Sequence, residues 1–291
     1  MTITAAQILA AAPRAHPEIV AGIVDHADAV FTKYGLITSN RVLGFLSTAL
    51  EESGGFTALT ECLCYSAERA HEVFPRKFPT AESAAPYALQ PEKFANFVYG
   101  GRMGNVGPDD GWRFRGQGLI QITGHDNFAS LAKKTGLPLL DTPAMVTSSD
   151  NMLECSVALF VEYPDILSYC DDGDWHAVWA LVGSGRANGP IINLANHEAA
   201  LAALQRAGIG GFTAVSSGGL GAAVEPNGFL FGSAGWAQKR LTAAGFDPQG
   251  VDGSWGGASR KALREFEAAK GLTVDAGILG PETIGALAKV A

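Results

Sequence analysis

Along residues 1–206, apolar positions recur at the three- and four-residue spacing of helices, and glycine-rich stretches separate the runs. The clearest run is 41–52, where Val42, Leu43, Phe45, Leu46, Ala49 and Leu50 share one stripe and Ser53-Gly54-Gly55 stops the helix. Further helices are expected over 92–99, 126–134, 151–162, 175–182 and 193–207. Near the start, Thr4 is a candidate N-cap for a first helix with Ile8 and Leu9 facing inward. Residues 100–118 hold seven glycines and one proline, which predicts a long loop, and long loops in compact domains are usually functional. Strand signals are short and weak, with 119–123 the best of them.

The pattern changes after residue 206. Residues 207–233 carry one charge and many Gly and Ser, which suits a flexible connector, although their phenylalanines suit partial packing on a domain. Residues 234–291 contain a repeat: Asp252-Gly253, Gly256, Ser259 and Ala262-Leu263 recur as Asp275-Ala276-Gly277, Gly280, Thr283 and Ala286-Leu287. Each copy reads as a glycine turn feeding a short helix, with Pro281 suited to a first helical position. Leu263 and Phe266 are expected to pack against Ile284 and Leu287.

Composition narrows the functional classes. The 291 residues are 47% hydrophobic and 17% charged, enough for two domains with a sizeable core. The net charge of -8 is uneven, with +1 on 234–291 and -9 on the remainder. Such a balance argues against a nucleic-acid partner, which needs clustered Lys and Arg. No run approaches the ~18 apolar residues of a membrane span, so no membrane insertion is expected. The apolar N-terminus lacks the basic residue of a secretory signal, so the chain is expected to be made and kept in the cytoplasm unless something else releases it. Cys62, Cys64, Cys155 and Cys170 do not match a zinc spacing; they read as reduced thiols, with one distant disulfide after export as the alternative.

The candidate chemistry lies in Glu52 and Glu61, which frame the glycine turn. Two carboxylates are the minimal equipment for cutting a glycosidic bond, one as proton donor and one to activate water. Helix phase separates Glu52 from its neighbour: Glu51 points ~160° from the apolar stripe and is expected in solvent, whereas Glu52 lies ~100° from its centre, at the border. Partial desolvation and the negative helix end both raise a carboxyl pKa, which suits Glu52 to the acid role. Read alone, each is also consistent with an ordinary surface acid.

Several separated motifs, LEESGGFTALTECLCYSAE, FANFVYGGRMGN and DDGWRFRGQGLIQITGHDNF, keep an order that resembles glycoside hydrolase family 19, and more narrowly its bacteriophage endolysin branch. The resemblance implies a mainly α, lysozyme-like catalytic domain of two lobes over residues 1–206, acting without a cofactor or metal. It implies Glu52 as general acid, Glu61 as general base, and Thr123 as the hydroxyl that helps hold the water. Gln121 and Asn127 match polar residues lining the sugar subsites. Tyr65 and Tyr99 are open between sugar stacking and core packing. Arg115, with Trp112 and Arg113, is open between substrate contact and pairing with Asp109 or Asp110. His125 reads as a fixed or exposed histidine. The chain departs from the family at Glu51, where histidine is usual, at Gln117 in the Arg-Gly-Arg-Gly motif, at Cys62 and Cys64, and in the late loop at Ser184-Gly185-Arg186.

The tail, 234–291, resembles the peptidoglycan-binding domain of cell-wall hydrolases, with Glu267 where glutamine is common. That implies a small three-helix module and bacterial peptidoglycan as the partner of a monomeric enzyme. An N-acetylmuramidase-type endolysin is therefore the expected function, with chitinase the runner-up. A non-catalytic wall-binding protein is the further alternative. A zinc amidase is disfavoured, because His71-Glu72 and His197-Glu198 lack a second histidine four residues after the first.

Overall fold

The computed structural model describes residues 3–210, 234–250, 257–272, 283, 286, 287, 289 and 290. They are mainly α-helical, the class expected from the periodicity. The helices are α1 Ala5–Ala11, α2 Pro17–Tyr34, α3 Ser39–Glu52, α4 Ala67–Val73, α5 Ala81–Ala84, α6 Pro91–Tyr99, α7 Asp110–Arg113, α8 His125–Thr135, α9 Met152–Phe160, α10 Ile166–Asp172, α11 Trp175–Ser184, α12 Leu194–Arg206, α13 Ala234–Ala243 and α14 Gly257–Lys270. Among the described residues, no helix is long and apolar enough to cross a membrane. The chain forms two compact units, one of residues 1–164 with 192–212 and the other of 165–191 with 213–291.

In the first unit, α3 packs against α12, α2 against α9, and α8 against α9. Phe45 of α3 meets Phe31 and Phe160 edge-on, at centroid distances of 6.0 and 5.5 Å. A second apolar cluster in the same unit gathers Leu63, Ala70, Phe78, Phe94 and Val98, with Tyr65, Phe74, Tyr99 and Trp112 at its margin. Thr4 caps α1 through a capping box with Gln7, as expected, and Ile8 is fully buried. Leu9 is instead 42% exposed, because a seven-residue helix offers only a narrow inner face. The longest helix, α2, was not foreseen from periodicity, although Pro17 in its first turn and the left-handed Gly35 at its end are the usual start and stop signals.

Two further expectations change. Residues 119–123 form no strand; the extended contacts are isolated bridges, Thr60 with Gln117 and Gln117 with Ile122. The apolar run there is short because it fills a tight turn. The 100–118 loop is interrupted by the single-turn α7, which buried Asp110 stabilises by accepting from the Val106 and Gly107 N–H groups at 3.0 and 2.7 Å. Arg113 donates to the Leu140 carbonyl rather than serving as a partner for that acid.

In the second unit, Ala237, Leu241, Ala262, Leu263, Phe266 and Leu287 form a core, so Leu263, Phe266 and Leu287 meet as the repeat implied. The repeat-related hydroxyls are both buried and both bonded: Gln238 donates to Ser259 at 3.0 Å and Thr283 donates to Glu267 at 2.8 Å. Arg260 reaches the carbonyl of Asp172 at 3.1 Å and its carboxylate at 3.7 Å. The turn residues 252, 253 and 275–277, Pro281 and Ile284 lie outside the described residues, as does most of 207–233. The first residues of that stretch are packed, with Ile209 2% exposed and the Gly208 carbonyl accepting from Gln7 at 3.1 Å.

The closest approach of α2 to the segment before α9 is set by Gly22. A Cβ there would stand 2.3 Å from Met152 Cε and 2.6 Å from the Ser149 carbonyl oxygen. Gly22→Ala gains about 1 kcal/mol of helix propensity if nothing resists it. Overpacking against backbone costs about 1–3 kcal/mol and should win. Urea unfolding is expected to show net destabilisation; a stabilised variant would mean the two segments part freely.

Candidate active site

Glu52 closes a helix with almost no exposed face. Besides the expected stripe, Gly44, Ser47 and Thr48 of α3 are buried. Ser47 and Thr48 turn their hydroxyls back onto the Gly44 carbonyl at 3.2 and 2.9 Å, which satisfies them inside the core. The chain then reverses through Gly54 and Gly55, both left-handed, with the Gly55 N–H donating to the Leu50 carbonyl at 2.7 Å. Phe56 is left-handed too, at φ 57°, and fully buried. Ser53 Oγ fixes it by accepting the Phe56 N–H at 2.9 Å while donating to the Ala49 carbonyl at 2.6 Å. The turn that carries the chain from one carboxyl to the other is therefore braced from both sides.

Glu52 is half-buried, and its carboxyl is pushed up to about 7, first by burial and second by the charge of Glu51. Near neutral pH a large fraction of it holds a proton. Half-buried Tyr163, just beyond α9, also feels this carboxyl; its phenol is raised to about 12, first by its partial burial and then by Glu52. No motif in the sequence pointed to Tyr163.

Glu61 accepts hydrogen bonds from groups on two neighbouring segments. The Gly116 N–H donates to Oε1 at 2.5 Å and the Tyr99 hydroxyl to Oε2 at 2.9 Å. The Glu61 N–H in turn donates to the Gly116 carbonyl at 3.0 Å, so side chain and backbone are tied to the same residue. The space there is tight: a Cβ on residue 116 would lie 2.6 Å from Gln121 Oε1 and 3.2 Å from Glu61 Oε1, so the ends of these side chains would have to shift. Burial and the charge of Glu61 raise the Tyr99 phenol, which keeps it a donor. Tyr99 is thus a positioning group for Glu61.

The other expected residues divide into those gathered near Glu61 and those used in packing. The Thr123 hydroxyl donates to the Gln121 carbonyl at 2.8 Å, and Asn127 donates to the Thr123 carbonyl at 2.8 Å, a linked run in which Gln121 is left-handed at φ 54°. The Arg115 guanidinium lies 3.7 Å over the Trp112 ring and donates to the Trp112 carbonyl at 2.8 Å. Burial lowers its pKa, yet arginine stays a cation across the working range. Tyr65 packs against Phe94 and Phe74 at 5.1 and 5.7 Å, in the aromatic cluster. His125 stands edge-on to Phe114 at 5.2 Å. Ser184 ends α11 in the second unit, donating to the Ala180 carbonyl at 2.7 Å. All four cysteines are free thiols: Cys62 and Cys64 are exposed, Cys155 and Cys170 buried, and burial pushes Cys155 up to about 12.

Glu51 departs most from expectation. It is not in solvent: its side chain is 11% exposed, because α12 covers the face of α3 opposite the apolar stripe. Asn193, the left-handed N-cap of α12, donates to Glu51 Oε1 at 3.0 Å, and His197 Nε2 lies 3.7 Å from Oε2. A single-stripe reading of α3 misses this second buried side. Glu51, Glu52 and His197 offer donor atoms within 4.8 Å of one another, the one such metal-capable group among the described residues. With one Glu51 oxygen bonded to Asn193, the other 3.7 Å from His197, and a large fraction of Glu52 protonated near neutral pH, the group reads as a polar cluster that tunes a proton.

The direction of the Glu52 shift fixes a stability prediction. A carboxyl whose folded-state pKa is raised from 4.5 to about 7 contributes stability below pH 4.5, and that stability is lost as pH rises through 7. The full effect is on the order of 3 kcal/mol. Glu52→Gln should therefore unfold at a higher urea concentration than the wild type at pH 9, and the gap should shrink at pH 5. Equal gaps at both pH values would contradict the raised carboxyl.

Residues 233–287 match the family described as "Putative peptidoglycan binding domain". Over 122 residues the chain is 38% identical to a glycosyl hydrolase family 19 domain-containing protein of Haemophilus influenzae, an alignment spanning 41% of this chain and 61% of that protein. The chain thus spans about three fifths of the length of that curated relative. Among solved structures it is similar to chitinase C from Streptomyces griseus, with a TM-score of 0.44 and 13% identity over 71% of this chain and 91% of that one. A bacterial family 19 chitinase gives a TM-score of 0.40 and 13% identity over 70% of this chain and 95% of that one. The chain therefore combines a stretch similar to a family 19 glycosyl hydrolase with a match to peptidoglycan-binding domains.

Proposed function

We propose that the chain is an endolysin that hydrolyses β-1,4 glycosidic bonds of bacterial peptidoglycan, as an N-acetylmuramidase of the inverting type. The observation that carries this reading is the contrast between its two carboxyls. A large fraction of Glu52 holds its proton near neutral pH, while Glu61 is gripped by Gly116 and Tyr99. Glu52 donates its proton to the glycosidic oxygen as the bond breaks. Glu61 takes a proton from a water that attacks the anomeric carbon from the opposite side, and attack from that side inverts the configuration. Gln121, Thr123 and Asn127 are linked beside Glu61 and are assigned to the water and the sugar; Arg115 on Trp112 offers a charged, planar surface to the wall polymer.

The match at 233–287 favours peptidoglycan over chitin. A wall-binding module raises the effective concentration of substrate without adding a catalytic contact. In this reading residues 1–206 cut, 207–233 connect and 234–291 hold the wall. The enzyme acts as a monomer on the wall after release from the cytoplasm where it is made, and causes lysis.

Mass spectrometry of wall digests tests the reading. Wild-type protein should release fragments ending in reducing N-acetylmuramic acid, with the product initially in the inverted anomer. Glu52→Gln should lower wall clearing by about 10²–10⁴-fold, the usual worth of a general acid, and still sediment with walls. Cleavage of chitin oligomers with intact peptidoglycan would replace the proposal with a chitinase. Wall binding with no new reducing ends from the wild type would leave a binding protein only.

A further inference from the structure

The contacts around Glu51 carry an inference that rests on the hydrolase reading and deepens it. Glu51 precedes the proton donor directly, yet no step of the reaction uses it. Its carboxylate is almost enclosed, and each of its oxygens faces a different residue of α12. Asn193 donates to Oε1 at 3.0 Å and His197 Nε2 stands 3.7 Å from Oε2. Asn193 holds a left-handed φ of 56°, a conformation that asparagine tolerates better than most residues. The His197 side chain is 4% exposed. Burial lowers the His197 pKa while Glu51 opposes that shift, so the imidazole is neutral near pH 7 and leaves the Glu51 charge in place.

We propose that Asn193 and His197 are positioning residues, clamping Glu51 so that a fixed negative charge stands beside Glu52 and holds Glu52 as the proton donor. The titratable and charged groups facing the pair include His197 from α12, Tyr163 from the turn after α9, and Arg14 from the turn after α1, which lines the same cavity as Glu51. Tyr163 is kept neutral by burial and adds no charge at working pH. Glu51 is thus the charge that acts on Glu52 from outside, and burial of Glu52 supplies the larger share of the effect. Removing the Glu51 charge lowers the pH at which Glu52 ionises, and a general acid fails once it ionises. The alkaline limb of activity then moves to lower pH. Below the His197 pKa the imidazolium neutralises Glu51, so the clamp weakens in acid, where Glu52 is protonated without help.

The experiment is a carbon-13 NMR titration of the Glu52 side-chain carboxyl in the full chain, run beside the pH profile of wall hydrolysis. Glu51→Gln keeps the shape and removes the charge; it should lower the Glu52 midpoint by up to about one pH unit and shift the alkaline limb with it. Glu51→Asp should restore part of the midpoint. Asn193→Gly keeps the left-handed backbone and removes the amide, and it should shift the midpoint in the same direction but less. His197→Gln retains a donor and should stay nearer the wild type than His197→Ala. A Glu52 midpoint unchanged in Glu51→Gln overturns the proposal, as does an unchanged midpoint in a folded Asn193→Gly. If the midpoint falls as expected but the wild type releases no sugar ends, the clamp stands and the hydrolase reading fails. If sugar ends appear and the midpoint never moves, the hydrolase reading stands and the clamp fails.

Discussion

The burial of α3 on both of its sides is the constraint on which the first unit depends. One side meets the aromatic core through Phe45, and the other is covered by α12. A helix enclosed in this way cannot rotate or slide without opening two interfaces, and interiors packed to crystal-like density resist that. The carboxyls at its last turn inherit the constraint. Glu52 is desolvated because α3 is central, and Glu51 is desolvated because α12 closes the remaining side. The braced turn at Ser53–Phe56 then hands the chain to Glu61, whose position is fixed by a different set of contacts.

Much of this was legible in the sequence, and the misses have a common cause. Apolar spacing locates α3, α6, α8, α9, α11 and α12 to within a residue or two, because apolar residues recur at helical spacing along each. The stripe also separates Glu52 from Glu51. It misplaces Glu51 because small and hydroxyl residues such as Gly44, Ser47 and Thr48 do not register as apolar, although they bury the second face. The expected strand at 119–123 fails for a related reason. Leu119, Ile120 and Ile122 are buried in a turn whose backbone closes on itself through Gln117 and Ile122, so apolar content there does not report extension.

Long-range partners were the least legible part of the site. Tyr99 reaches Glu61, Tyr163 reaches Glu52, and Asn193 and His197 reach Glu51, across 38 to 146 positions of sequence, and no local pattern encodes such pairings. The resemblance to glycoside hydrolase family 19 singles out Tyr99 as a site residue but leaves its task open, and the hydroxyl bonded to Glu61 supplies one. In the tail, by contrast, the internal repeat encodes its own contacts. Ser259 and Thr283 occupy equivalent positions, and both are buried in side-chain hydrogen bonds.

The grip of Gly116 on Glu61 has a consequence for how this site tolerates change. One of the two donors to Glu61 is a backbone N–H, which every residue except proline possesses. Substituting neighbouring side chains therefore cannot delete that hydrogen bond. The restriction falls on volume instead, at a single position, where a side chain would have to displace the ends of Gln121 and Glu61. Glu61 thus keeps this bond through change in the side chains around it, and volume added at residue 116 acts on it through the Gln121 and Glu61 side chains themselves.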